Sequence, residues 1–333
     1  METVLPLVFM AIMGLSLVLY VILDGYDLGI GLLLPLASDD EKDTMIAAIG
    51  PFWDANETWL VLGVGVLLIA FPAAHALVLT SLYIPVTLML FGLILRGVSF
   101  DFRVKAASHQ KRMWNRAFAG GSLIAACAQG WMLGSYVTGL APSAVNVAFS
   151  VLIAATMPAL YVVLGAGWLL LKTEGELYDK AIAWGRRAMP MMGLALLAIS
   201  IATPLVSETI AATWFSLPNF IGLLPIPLAT VIAFGAVYWV LRRRDVALAG
   251  YAWIVLGGTV LMCLMAALGL AYSLYPFIVI DRLTIFDAAA APSSLMFVFV
   301  GVAIVLPFTI GYTIFVYRVF HGKATGLSYG EPD

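Results

Sequence analysis

Four carboxylates stand in this chain where a hydrocarbon environment should exclude them. Asp24 and Asp27 lie in Leu23-Asp24-Gly25-Tyr26-Asp27-Leu28-Gly29; Asp54 and Glu57 lie in Trp53-Asp54-Ala55-Asn56-Glu57-Thr58-Trp59. Each pair is spaced i,i+3, which puts both acids on one face of a helix. A carboxylate at the edge of lipid is costly unless it is paired, hydrogen-bonded or protonated. Asp54 and Glu57, so close on one face, would titrate as a coupled pair. Asp24, Asp27, Asp54 and Glu57 are therefore candidates to take up and hand on protons. The competing reading is interfacial: acids that cap helices, or that pair with Arg96, Arg103 or a partner subunit. Spacing alone favours that second reading. Asp101, in Phe100-Asp101-Phe102-Arg103, reads on spacing as a surface or capping acid.

Redox and metal chemistry find less to work with. A membrane b-type haem takes His, or His with Met, from within a span. His109 falls in a basic loop, His321 in the C-terminal tail and His75 near the outer end of a span, so no two clamp one haem, and His75 is only a weak single-ligand candidate. Cys127 and Cys263 sit in apolar runs without CxxC spacing and read as buried small residues, and no metal site is expected.

The elements that position these residues are membrane spans. Of 333 residues, 63% are hydrophobic and only 11% charged, and the mean hydropathy is +1.03. A soluble domain carries roughly 25% charged residues, so too little polar surface is present to coat a water-soluble globule. At about 20 apolar residues per crossing, the chain reads as one polytopic domain over 1–333. Its nine spans run over about 4–34, 46–71, 76–97, 117–139, 146–171, 188–206, 219–241, 250–277 and 294–319. The first exceeds one membrane thickness and is expected to tilt, or to bend at Gly25, Gly29 or Gly31. The second is expected to start near Thr44, capped by Asp43 or Thr44, with Trp53 and Trp59 in an aromatic belt. The N-terminus lacks a basic region and a cleavage site and is read as the first span.

Charge orients the stack. With nine spans, all of the 17 basic residues except Arg282 fall on one side. They cluster at Arg96–Arg116, Lys172–Arg187, Arg242-Arg243-Arg244 and Arg318–Lys323, with Lys42 in the first loop. The positive-inside rule makes that side cytoplasmic, leaving the N-terminus periplasmic and the C-terminus cytoplasmic.

The motifs, taken together, resemble subunit II of cytochrome bd-type quinol oxidases, including the short cyanide-insensitive variants. The resemblance rests on Asp24-Gly25-Tyr26-Asp27-Leu28-Gly29, Trp53-Asp54-Ala55-Asn56-Glu57-Thr58-Trp59 and Arg96-Gly97-Val98-Ser99-Phe100-Asp101-Phe102-Arg103. Leu283-Thr284-Ile285-Phe286-Asp287-Ala288, Pro307 and Tyr312-Thr313 extend it to the last span. It implies an all-α protein of two four-helix bundles plus one peripheral helix in a bacterial inner membrane. The haem-bearing partner, subunit I, would carry haems b and d and oxidise quinol while O₂ is reduced to water. This chain would stabilise that partner in a heterodimer, without holding the catalytic haems itself. The resemblance also allows a small accessory subunit and a lipid or quinone bound in this chain.

Residue by residue, Asp54 matches the family's Trp-Asp carboxylate, near the subunit interface and proposed for proton delivery. Asp24 and Asp27 match the first-span acid pair, and Asp101 and Arg103 match the Phe-Asp-Phe-Arg turn. Asp101 thereby joins the proton-path candidates, while Trp53, Trp59, Arg96 and Arg103 are interface or structural candidates. Ala55 stands where the family commonly has Gly, and Glu57 where some members have Gln. Two alternatives remain from the residues alone: a stand-alone proton-coupled secondary transporter, and a structural assembly subunit with no titrating residue.

Overall fold

The computed structural model describes residues 3–206, 208–217 and 219–324. Helices make up almost all of it: α1 (Val4–Leu33), α2 (Asp39–Ile49), α3 (Trp53–Ala70), α4 (Pro72–Lys105), α5 (Ser108–Val137), α6 (Ala144–Lys172), α7 (Gly175–Val206), α8 (Glu208–Phe215), α9 (Asn219–Leu223), α10 (Pro225–Arg242), α11 (Arg244–Val246), α12 (Trp253–Leu274), α13 (Ile285–Ala288) and α14 (Pro292–Val319). A small antiparallel hairpin, β1 (Phe277–Val279) with β2 (Leu283–Thr284), pairs Phe277 with Thr284 between α12 and α13. Among the described residues, 8 helical segments are long and apolar enough to cross a membrane. Helix α5 has the length, 30 residues, but its first third is basic and the rest is diluted by Gly, Ser and Gln. The chain is thus an all-α membrane protein.

Several helices run differently from the spans expected of the sequence, for local reasons. The segment 46–71 is two helices, because Pro51 has no N–H to continue the ladder of α2 and Phe52 leaves helical geometry at φ −119° before α3 begins. Helix α2 begins earlier than Thr44. Ser38 accepts a hydrogen bond from the Glu41 N–H while the Glu41 carboxylate accepts from the Ser38 N–H, a reciprocal capping box. Helices α4 and α5 extend through what charge alone marks as a loop, leaving only Ala106 and Ala107 between them. Helix α1 does not bend at Gly25, Gly29 or Gly31; it is continuous from Val4 to Leu33. The kink falls in α4, where Leu82 leaves helical geometry three residues before Pro85.

The glycines of α1 serve packing instead. In lipid, helix association depends on close van der Waals contact, and small residues permit it. A Cβ on Gly29 would overlap the Tyr161 backbone carbonyl of α6, and one on Gly165 would lie 2.7 Å from the Gly29 backbone. The two glycines thus form one mutual contact where α1 crosses α6. Gly92 of α4 and Gly121 of α5 make the same kind of contact. Helix α1 packs on α3, α5 and α6; α4 packs on α5; α6 packs also on α7 and α12; and α10 packs on α12 and α7. Helix α14 packs mainly on α1 and α3 and is the most exposed of the long apolar helices, with 6% of its most apolar stretch buried.

The end of the stack that carries the basic residues is laced by ion pairs. Asp43 of α2 meets Arg103 at 2.8 Å and Lys111 at 3.3 Å, and Glu41 of α2 meets Lys180 of α7 at 2.8 Å. Helix α2 thereby straps the ends of α4 and α5 to α7. The Gly29–Gly165 contact sets the central seam, so Gly29→Ala should exceed the usual overpacking cost of about 1–3 kcal/mol, because backbone must move. The expected outcome is loss of folded protein from detergent-solubilised membranes in size-exclusion chromatography. Gly14→Ala, at a position open within 4 Å, should elute normally.

Candidate functional site

A buried guanidinium organises the acids. Arg96 of α4 is 1% exposed, yet it lies in a helix at membrane depth and must meet its counter-charges inside the protein. Its Nη2 is 2.5 Å from Asp24 Oδ1 and also contacts Glu57 Oε1. Asp24 is fully buried, and Glu57 is 28% exposed. Three helices, α1, α3 and α4, thus contribute one charge each, and the cluster reaches the surface through Glu57.

Two polar branches extend from this centre. On one, Tyr20 lies beside Asp24, one helical turn earlier in α1. Gln129 of α5 donates Nε2–H to Tyr20 at 2.8 Å, and Tyr161 of α6 donates its hydroxyl to Gln129 Oε1. On the other, fully buried Asp27 accepts from Asn56 Nδ2 at 2.8 Å, and Asn56 bonds Tyr26 and, on α14, Tyr317. Tyr26 stacks on Trp168 with ring centroids 4.3 Å apart, which holds its hydroxyl toward α14.

The acid pairs have different fates. Asp24 and Asp27 share the inner face of α1, with Asp24 on Arg96 and Asp27 on Asn56. Asp54 and Glu57 are parted: Glu57 turns in to Arg96, while Asp54 faces outward and makes no ion pair with any described residue. Asp101 is exposed near the same end of α4. Arg103, 3% exposed, pairs with Asp43 and donates from Nε to Asn115 at 2.5 Å. Trp53 packs on Phe100 with centroids 4.9 Å apart, whereas Trp59 is buried at 3% exposure rather than lying in an exposed belt. Sequence reasoning missed Tyr20, Asn56, Gln129, Tyr161 and Tyr317. Asn56 alone carried a usable signal: it sits between Asp54 and Glu57 on the face that turns toward α1.

The three histidines lie apart. His109 and His321 are exposed at the basic end, and His75 lies at the opposite end, in the first turn of α4. His321 Nδ1 is already 2.8 Å from the Arg318 carbonyl. No metal-binding group of three or more His, Cys, Asp or Glu occurs among the described residues.

The family described as "Cytochrome bd terminal oxidase subunit II" matches residues 5–320. The chain belongs to this family. It is a subunit of a cytochrome bd oxidase, an oxidoreductase complex that implies a partner subunit I and contains haem, and it is a multi-pass protein of the bacterial inner membrane. Among its relatives, the cytochrome bd ubiquinol oxidase subunit 2 of Bacillus subtilis is 28% identical over 93% of each chain. The cytochrome bd-I ubiquinol oxidase subunit 2 of Escherichia coli K12 is 27% identical over 97% of this chain and 96% of its own. The fold is similar to the structure of bd oxidase from Geobacillus thermodenitrificans, with a TM-score of 0.77 at 17% identity, covering 96% of this chain and 99% of that one. Membership of an oxidase-subunit family displaces the stand-alone transporter alternative.

Because Arg96 is the sole cation bonded to Asp24 and Glu57 among the described residues, Arg96→Gln would leave buried carboxylates unpaired, a change that costs about 3–5 kcal/mol. The complex should inactivate at markedly lower temperature. Adding Asp24→Asn should recover part of the loss, since it removes the stranded charge. A double variant no more stable than Arg96→Gln would show that the pair is not what matters there.

Proposed function

We propose that this chain is the haem-free partner of subunit I in a quinol-oxidising cytochrome bd complex, and that its acid cluster helps deliver cytoplasmic protons to the oxygen-reducing centre. The observation that carries the proton role is the Asp24–Arg96–Glu57 cluster, buried at one end and open at Glu57. In the proposed topology the nine long helices, α5 included, cross the membrane as two four-helix bundles, α1 with α3–α5 and α6 with α7, α10 and α12. Helix α14 is peripheral. The N-terminus is periplasmic and the basic end cytoplasmic, in line with the positive-inside rule. Haems b and d and the quinol site lie on subunit I. The absence of a pair of facing histidines among the described residues agrees with that division. The two full-length relatives are ubiquinol oxidase subunits by name, which supports a quinol as the electron donor.

Charge counting supports the proton role. Asp24, Asp27 and Glu57 surround a single guanidinium. With all four ionised the cluster carries excess negative charge in a place where water cannot screen it, a situation relieved by holding a proton. Electrons arriving at buried haems demand compensating protons, and a carboxylate cluster that opens toward the cytoplasm is suited to pass them on. Asp54 is exposed on the outer face of α3, where an ionised carboxylate cannot face lipid at low cost. We assign that face to subunit I and Asp54 to proton transfer at the junction. Asp101 lies near the same end of α4.

The division of haems is tested by a dithionite-reduced minus air-oxidised visible spectrum of the chain purified with its neighbouring gene products and alone. Haem bands are expected only in the co-expressed sample; haem in the lone chain would put His75 first in line as a ligand. For the proton role, Asp54→Asn should leave haem content and assembly intact while lowering oxidase turnover by about tenfold or more, within the range of lost proton transfer. Normal turnover in an assembled complex would remove Asp54 from the path, and loss of the complex would assign it a structural role.

A further inference from the structure

We propose that a closed ring of hydrogen bonds among Asn56, Tyr26 and Tyr317 fixes which oxygen of Asp27 exchanges protons, making Asn56 and Tyr317 positioning residues for the acid cluster. This rests on the proton role assigned to the cluster above.

The donors and acceptors close in only one way. Asn56, 1% exposed, has two N–H groups on Nδ2 and two lone pairs on Oδ1. Nδ2 is 2.8 Å from Tyr26 Oη, 2.8 Å from Asp27 Oδ2 and 3.3 Å from the Leu23 carbonyl. The two short contacts use both N–H groups. The Leu23 carbonyl fixes the amide orientation, because the reverse would set the Asn56 oxygen against another carbonyl oxygen. Tyr26, having accepted from Asn56, donates its own proton to Tyr317, whose hydroxyl it contacts. Tyr317 then donates to Asn56 Oδ1 at 3.2 Å. Asn56 to Tyr26 to Tyr317 and back to Asn56 is a cycle with one donor for each acceptor, an arrangement in which the bonds reinforce one another.

The consequence falls on Asp27. Its Oδ2 is committed as the acceptor of an Asn56 N–H. A proton bound to Asp27 is therefore favoured on Oδ1, which is buried and has no hydrogen-bond partner among the described residues. The charged and titratable groups around Asp27 are Asp24 on its own helix, Glu57 on α3, Arg96 on α4, and the tyrosines Tyr26 and Tyr317. With the tyrosine hydroxyls engaged in the ring, Oδ1 is left to exchange with the Asp24–Arg96–Glu57 side.

Helix α14 supplies the closing member. Tyr317 is held by Phe52 and Trp168, with ring centroids 4.7 and 5.8 Å away. The end of α14 is tied down by Lys172 donating to the Phe320 and Gly322 carbonyls and by Lys323 donating to the Thr173 carbonyl. The least buried long helix thus reaches the acid cluster through one hydroxyl.

The test uses the complete haem-containing complex and the variants Tyr317→Phe, Asp27→Asn and their double. Tyr317→Phe keeps the ring packing and removes only the hydroxyl. It is expected to leave haem content unchanged, to lower turnover about threefold and to move the pH profile of turnover by about half a unit, because Asn56, the partner of Asp27, is no longer held in place. In the Asp27→Asn background the same change should have no further effect, since coupled residues are non-additive. Two results would overturn the ring and leave the proton role standing: a slowed Asp27→Asn complex in which Tyr317→Phe acts equally with and without Asp27, or a Tyr317→Phe complex with an unchanged pH profile. Normal turnover and pH profile in assembled Asp27→Asn would instead remove Asp27 from the proton path, and the ring's role with it.

Discussion

A guanidinium without water has to be met by carboxylates, and much of this subunit is arranged around that requirement. Arg96 has Asp24 at 2.5 Å and Glu57 against the same nitrogen, one from α1 and one from α3. Neither the cation nor the buried anion is tolerable alone in such surroundings, so the three helices are held to one registry. Close approach makes that registry possible. Gly29 against Gly165 draws α6 onto α1, and Gly92 against Gly121 draws α5 onto α4. Tyr161 and Gln129 can reach the Asp24 region only because those backbones come so near. The glycines and the ion pair are two halves of one constraint: the first brings the helices together, the second specifies how they are aligned.

The cluster is asymmetric, and the asymmetry bears on its use. Glu57 retains 28% exposure, whereas Asp24 and Asp27 retain none. The far sides are closed by neutral groups, Tyr20 with Gln129 and Tyr161 on one branch, Tyr26 with Asn56 and Tyr317 on the other. A tyrosine or an amide holds a carboxyl group in place without supplying a compensating charge. Among the described residues the balance of charge is therefore struck among three acids and one base, and the cluster comes to the surface at Glu57. A cluster enclosed by charged partners on every side would be a structural brace; one enclosed by neutral partners on all sides but one is suited to gain and lose a proton.

Much of the helix order was legible in the sequence, because apolar length and basic loops are properties of single segments. The start and end of α1, α6 and α14 lie within two residues of the spans expected from hydropathy. What escaped was whatever depends on a second segment. Charge marks the stretch 98–116 as a loop, yet most of it is helix, and Arg103 within it meets Asp43 across the fold. Pro51 is visible in the sequence, but reading 46–71 as one run overlooks the backbone N–H that a proline lacks. The glycines of α1 signalled something unusual and were taken for flexibility; only the opposing backbone of α6 shows that they are contacts. Asp54 and Glu57 read as a pair on shared helix spacing, but the structure parts them. The i,i+3 rule states that two side chains share a face; it does not state where a long side chain with a distant partner will go.

The neutral members of the site were the least legible part, and that follows from their chemistry. Tyr, Asn and Gln in a membrane helix are unremarkable singly, since each is readily satisfied by a neighbouring helix or a backbone carbonyl. Asn56 becomes informative only when three of its four bonding capacities are assigned to Tyr26, Asp27 and Tyr317, residues 30, 29 and 261 positions away. The bond to Tyr317 also explains how so exposed a helix as α14 is bound to the body. Apolar contact alone gives it little hold, because lipid tails match its side chains about as well as protein does. Directional bonds at its basic end supply the rest: one hydroxyl inside, and the carbonyls of Phe320 and Gly322 clamped by Lys172 outside. A helix held at one end by polar contacts and bathed elsewhere in hydrocarbon can adjust to whatever lies beside it while keeping Tyr317 fixed. In an enzyme whose partner subunit must be seated against this one, those are compatible demands, and the sequence meets them by confining the specific chemistry of α14 to its last few residues.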